Sequence, residues 1–202
     1  MCEGEIRVMN SRLRIRLALA AGVTAAVIGA GVAPAVAGAT SAPTCGIRWG
    51  SLAKASPPMT AATLSGVRTG RHDCFDRLVV DLAGRPAAGY DVRYAEPPYR
   101  AQGSGAPLLV AGGALLEIIV RAPAYDASGN STVPWGGTAV VVRPHDFDSR
   151  GFRTFEDLVW GGSFEGQSSF GLGVRARLPF RVFQLDGPGN GSRLVVDVAH
   201  RW

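Results

Sequence analysis

One five-residue phrase occurs twice in the chain, as Arg77-Leu78-Val79-Val80-Asp81 and, 116 positions later, as Arg193-Leu194-Val195-Val196-Asp197. Each copy runs on into another apolar residue, Leu82 or Val198. This predicts two short strands, each with Leu, Val and a third apolar residue on one face and Arg, Val and Asp on the other. Within a copy the Arg and the Asp stand roughly 13 Å apart along the strand and cannot pair with each other. If the copies are antiparallel neighbours in register, Arg77 faces Asp197 and Asp81 faces Arg193, each contact contributing about 0.2 to 1 kcal/mol. If they lie in separate sheets, each charged pair needs other partners and adds to a symmetric polar surface. The distance from Arg77 to Asp197 decides between the two.

The rest of the chain supports a β-rich reading. Its 202 residues are 47% hydrophobic and fit a single domain once a leader is set aside. With Gly 27, Pro 13 and only 18% charged residues, the composition favours many turns and short strands over long charged helices. Period-two runs predict strands at 64–68, 75–82, 90–94, 138–143, 155–160, 170–177, 180–185 and 194–198. Residues 108–110 and 114–121 add two more, with Gly112-Gly113 between them as a hairpin signal and the second run nearly fully buried. About ten short strands and almost no helical period indicate an all-β sandwich of two similar sheets spanning 63–202.

The N-terminus reads as an export signal. Arg12, Arg14 and Arg16 precede an uncharged Leu/Ala/Val/Gly run from Leu17 to Val32, and Ala35-Val36-Ala37 supplies a small-x-small cleavage site. Residues 1–37 are thus expected to be a signal peptide, with Met9 an alternative start. A run of about 16 residues is short for a spanning helix, so no stable membrane anchor is expected after cleavage. From residue 38 onward 17 basic residues face 14 acidic ones, a net of +3 that is too mild and too interspersed to argue for nucleic acid. Arginine dominates the bases, Lys54 being the only lysine, as codon bias in a GC-rich genome also produces.

Residues 38–62 mix Pro, Ala, Ser and Thr and read as an extended arm. Two cysteines remain after the leader, Cys45 and Cys74. In an oxidising compartment they have one intramolecular pairing, the alternative being two buried thiols. A disulfide closing that loop adds about 3 to 4 kcal/mol in the chain-entropy model.

No catalytic set stands out. His145-Asp146-Phe147-Asp148 holds three metal-ligand types, but neighbours on an extended chain point to opposite faces, so the tract reads as a solvated loop. His72-Asp73 beside Cys74 fails as a Cys-His pair for the same reason, and Gly-x-Ser-x-Gly is absent. Neither a metal nor another cofactor is called for. Trp49, Trp135, Trp160 and Trp202 could stack on sugars but are expected mostly to pack in the core or at its rim. The richest stretch is 161–173, with five glycines and the hydrogen-bonding side chains Ser163, Glu165 and Gln167. Its glycines would let backbone amides approach a ligand closely. Arg175 and Arg177 follow on one strand face, so a loop plus two guanidinium groups is a candidate seat for a carboxylate or a glycan bearing one.

The segments Phe180-Arg181-Val182-Phe183-Gln184-Leu185-Asp186-Gly187-Pro188 and Ser192-Arg193-Leu194-Val195-Val196-Asp197-Val198 resemble the paired signature strands of AMIN domains. The fuller run from Cys45-Gly46-Ile47-Arg48-Trp49-Gly50 through Gly70-Arg71-His72-Asp73-Cys74 to the end is similar to AMIN-like proteins exported by actinobacteria. The resemblance implies a symmetric sandwich outside the membrane that binds peptidoglycan, with the two repeated strands in separate sheets. No amidase or secretin domain accompanies it in this sequence. The expected function is a non-catalytic envelope module recognising peptidoglycan or a related wall glycan. Its expected ligand residues are Ser163, Glu165, Gln167, Arg175 and Arg177, with Arg77, Asp81, Arg193 and Asp197 on the repeated strands. The alternatives are a wall hydrolase using Glu165 with a carboxylate such as Asp186, and a module that binds another envelope protein.

Overall fold

The computed structural model describes residues 45–135 and 147–202. The expected leader, the strand over 138–143 and the pair His145-Asp146 lie outside the described residues. What is described is built of strands and one 3-10 turn, Ser149–Gly151, and no helix among the described residues is long and apolar enough to cross a membrane.

Two antiparallel sheets enclose the core. The four-stranded sheet runs β10 (Phe180–Asp186), β11 (Ser192–Ala199), β3 (Phe75–Ala83), β2 (Thr63–Arg71). The five-stranded sheet runs β1 (Lys54–Ser56), β4 (Tyr90–Ala95), β7 (Ala114–Val120), β9 (Gln167–Val174), β8 (Phe155–Phe164). A small third pair, β5 (Tyr99–Arg100) with β6 (Pro107–Leu108), belongs to a flap between β4 and β7. Leu78, Val80 and Leu82 of β3 and Leu194, Val196 and Val198 of β11 are fully or almost fully buried. They share one apolar cluster with Leu116, Ile118, Trp160, Phe170 and Leu172 of the other sheet. The alternation seen in the repeated phrase thus becomes the inner face of the sandwich.

The two copies of the phrase are hydrogen-bonded neighbours, with Arg77 opposite Asp197 and Arg193 opposite Asp81. The separate-sheet arrangement implied by the resemblance is therefore corrected. An antiparallel register is the one in which each Arg meets an Asp and each inward Leu or Val meets another.

Two polar devices fix the ends. Cys45 and Cys74 form the expected disulfide, their Cα atoms 5.5 Å apart, and it ties the arm to the start of β3. Just inside that end, the buried Asp76 carboxylate accepts the backbone N–H groups of Arg153, Thr154 and Phe155 at 3.0, 2.6 and 3.3 Å, and lies 3.0 Å from His200 Nε2. It links the start of β3 to the start of β8 across the sandwich, and the bonds compensate for removing a carboxylate from water. The arm also supplies β1, which pairs with β4 at the sheet edge.

Two local expectations change. Gly112-Gly113 does not join a hairpin, because β6 pairs with β5 while β7 pairs with β4 and β9. These glycines instead lie against the backbone of Val174 and Arg175, where an added Cβ would come within 2.9 and 2.2 Å of carbonyl oxygens. The stretch 161–173 is not a loop but most of the β8–β9 hairpin, turned over Glu165-Gly166 with φ of 49° and 75°. Glu165 is the only non-glycine among the described residues in the left-handed region.

A candidate ligand-binding face

The outward side chains of the four-stranded sheet can be read across in rows from the strand registers. The first row holds Gly70, Arg77, Asp197 and Arg181; the second Arg68, Val79, Val195 and Phe183; the third Gly66, Asp81, Arg193 and Leu185. Four arginines and two aspartates on one face leave it two charges positive. In the first row Asp197 sits between two arginines and its side chain is 0% exposed. Arg77 donates Nε–H and Nη2–H to its two carboxylate oxygens at 2.7 and 2.9 Å, and Arg181 donates Nε–H to Oδ2 at 2.8 Å. Hydrogen bonding to Asp197 outweighs the cost of partial burial and raises the Arg77 pKa, so its charge is permanent.

Aromatic rings hold these guanidinium groups in place. The Arg181 guanidinium carbon lies 4.4 Å from the Trp49 ring centre, 5.4 Å from Phe75 and 5.1 Å from Phe183. That of Arg77 lies 5.2 Å from Phe75 and 5.5 Å from Phe183. Trp49 meets Phe75 edge-on at 5.6 Å, and His72 stacks on the Phe75 ring at 4.5 Å. Trp49 reaches the face because the disulfide anchors its arm and the Gly50 carbonyl accepts from Phe180 N–H at 3.1 Å. The result is an alternating ring and guanidinium ladder.

The second copy of the phrase is paired differently. Asp81 stands opposite Arg193 but is held by Arg68, which donates Nε–H and Nη2–H at 2.7 and 2.9 Å. The glycine at 66 leaves the ground beside Asp81 open, and Arg68 reaches it on the diagonal. Arg193 donates to the Asp186 carbonyl at 3.1 Å instead. A shallow groove of about 700 Å3 runs here past Arg68, Asp81, Asp186 and Arg193. At Gly70, beside Arg77, an added Cβ would meet nothing within 4 Å, so the first row also opens at its β2 end.

The opposite outer face is closed by the flap. Tyr99 lies over β8 and β9, its hydroxyl 2.8 Å from Ser169 Oγ, and burial raises its pKa. Added Cβ atoms at Gly161, Gly171 and Gly173 would come within 2.0 Å of the Tyr99 hydroxyl, 2.7 Å of the Tyr99 ring and 1.7 Å of the Ala111 carbonyl oxygen. The glycines expected to admit a ligand admit the chain's own flap. Beside the flap a cleft of about 510 Å3 is lined by Tyr94, Glu96, Leu109, Leu115 and Arg177 among others.

Of the nine ligand residues read from the sequence, Arg77, Asp81, Arg193 and Asp197 come together on the open face. The other five do not assemble. Ser163 accepts Ala124 N–H and donates to the Gln167 carbonyl, serving the hairpin. Glu165 marks its tip. Arg175 lies past the far end of β9, about 25 Å from Gln167 at strand rise. There it donates to the His200 carbonyl, while Arg177 lies 5.1 Å over the Tyr94 ring and donates to Ser51. Asp186 ends β10 in the other sheet from Glu165 and faces Arg85 at 3.8 Å. Asp148 caps the 3-10 turn and pairs with Arg150 at 2.8 Å, and no group of three or more metal-ligating side chains occurs among the described residues. Trp135 and Trp160 are core residues, as the sequence led one to expect of most tryptophans, whereas Trp202 is exposed and Trp49 belongs to the ladder.

Trp49 was a candidate for sugar stacking only along with the other tryptophans, and the residues missed were Arg68, Phe75, Arg181 and Phe183. A signal for two of them was present. The turn over Gly187-Pro188-Gly189-Asn190-Gly191 sets the register of the last hairpin, and that register puts Arg181 opposite Asp197 and Phe183 opposite Val195.

The family model of the AMIN-like domain matches the chain over residues 62–200. Neither a curated protein nor a solved structure matches the chain.

Proposed function

Because the chain belongs to the AMIN-like domain family, we propose that it is an exported, non-catalytic module of the cell envelope that holds peptidoglycan or a related wall glycan against its four-stranded sheet. AMIN-like domains are binding modules, and the leader read from the sequence would carry this one outside. The observation that carries the assignment to this face is the ladder of Trp49, Arg181, Phe183, Arg77 and Phe75, open to solvent beside Gly70. Aromatic rings pack against the apolar faces of sugars, and guanidinium groups donate to hydroxyl and carboxylate oxygens. A face two charges positive also suits a wall rich in carboxylates.

The test is retention on purified sacculi at moderate salt. Wild-type protein is expected to co-sediment, and Phe183→Ala with Arg68→Ala to lower retention at least tenfold, while Arg175→Ala with Arg177→Ala leaves it unchanged. Retention no greater than that of an unrelated β-sandwich would overturn the assignment. Loss confined to the Arg175 and Arg177 variants would move the site off the sheet face, to the segment beside Ser51 and His200.

A further inference from the structure

We infer that the first row of the open face is a carboxylate site, with Arg77 and Arg181 as its ligands and Asp197 as the group that positions them. This rests on the wall-binding reading above and names the chemical group it recognises. A guanidinium carries five N–H donors. Arg77 spends two of them on Asp197 and Arg181 spends one. Three donors remain on the first and four on the second, and none meets another acceptor among the described residues. The charges point the same way: two guanidinium groups against one carboxylate leave one positive charge, which a single carboxylate neutralises.

Geometry makes the row a site and not merely an ion pair. Asp197 is wholly buried, whereas the Arg77 and Arg181 side chains are 25% and 40% exposed, so the acid sits behind the bases and cannot itself meet an incoming anion. Asp197 Oδ2 accepts from both arginines, at 2.9 and 2.8 Å, which fixes the two guanidinium groups side by side. Phe75 and Phe183 lie within 5.1 to 5.5 Å of both guanidinium carbons, and Trp49 lies 4.4 Å from that of Arg181, so neither arginine is free to swing out. Much of the ordering cost of a forked, two-arginine clamp is met before the ligand arrives. Next to the clamp, the part-buried ring of Phe183 offers a surface for a sugar or an apolar side chain attached to the carboxylate, while at the opposite edge Gly70 leaves the ground beside Arg77 open. The ligand class is therefore an acidic saccharide or acyl peptide with one carboxylate beside an apolar surface, as a wall glycan and its stem peptides provide.

Three forms of the same sacculi test this with the full-length protein purified after export. One is left as isolated, one is stripped of phosphodiester-linked polymers with cold hydrofluoric acid, and one has its carboxylates converted to amides with carbodiimide and ammonium. Retention is expected to survive stripping and to fall at least tenfold on amidation. Arg181→Gln should lower retention on untreated sacculi by a similar factor and have little effect on the amidated form. Arg181→Lys, which keeps the charge but not the fork, should fall between, and serves if the Gln variant does not fold. Equal retention on untreated and amidated sacculi, or equal losses by Arg181→Gln on both, would overturn the carboxylate site while leaving wall binding intact. Loss on stripping would assign the anion to a phosphate polymer and also overturn it. Failure of wild-type protein to bind any of the three would overturn the wall-binding reading itself.

Discussion

The two outer faces of this sandwich are built from the same kinds of residue and do opposite things. On the five-stranded sheet, glycines at 161, 171 and 173 remove side chains, and the flap fills the space, Tyr99 lying on the strand backbone. On the four-stranded sheet, glycines at 66 and 70 also remove side chains, but no Cβ placed at Gly70 would touch anything, and arginines and rings border the gap. A strand glycine marks a close approach; what approaches is decided by the rest of the chain. Where a flap is available the approach is internal and adds to stability. Where none is, the surface stays open to a ligand.

The largest effect should come from disturbing the closed face. Gly173→Ala would place a Cβ 1.7 Å from the Ala111 carbonyl oxygen, a backbone atom with little freedom to move. Chemical denaturation should show a loss of about 3 kcal/mol, and an unchanged midpoint would mean that the flap does not lie where the structure has it. Next come the two aspartates of the repeated phrase. Asp197→Ala removes a buried acceptor from two arginines and should cost about 2 kcal/mol, whereas Asp81→Ala breaks a largely exposed pair with Arg68 and should cost under about 1 kcal/mol. Equal losses would show that the repeat is energetically symmetric after all. Tyr99→Phe leaves Ser169 without its hydroxyl partner and should cost about 1 kcal/mol. Burial raises the Tyr99 pKa, so the neutral phenol is favoured in the folded state, and the stability this confers is present below the usual tyrosine value and lost as pH rises through the higher folded one. Ultraviolet titration should accordingly show the most alkaline tyrosine transition of the wild type missing from Tyr99→Phe. The smallest effect belongs to the open face: Gly70→Ala should change stability by no more than about 0.5 kcal/mol, in the stabilising direction.

Most strand positions were legible because each depends on a local, period-two pattern, and the repeated phrase gave the register its copies would adopt if they paired, but not that they pair. The in-register pairing of Arg77 with Asp197 follows from matching charges within two short segments. What could not be read was which strand lies beyond each of them. Asp81 takes Arg68 from β2 and not Arg193, because a glycine opposite Asp81 opens a diagonal path that no feature of the phrase itself announces. The glycine-rich stretch failed as a site for a related reason. Absence of a Cβ is visible in the sequence, but the occupant of the space, a flap more than 50 residues earlier, is a tertiary fact. Arg175 and Arg177 looked convergent with Ser163 and Glu165 because they are close in sequence, yet a strand that runs straight carries neighbours in the chain to opposite ends of the sheet.

We assign contact with the wall to the open four-stranded face and not to the flap side. Backbone amide chemical shifts recorded during titration with a soluble disaccharide-peptide fragment of peptidoglycan test it most directly. The perturbed amides are expected to cluster at Arg77, Val79, Arg181, Phe183 and Asp197, and the perturbations to fade in Arg181→Gln. Perturbations clustered instead on the flap, in the cleft lined by Glu96 and Arg177, or at the hairpin tip around Glu165 would contradict it.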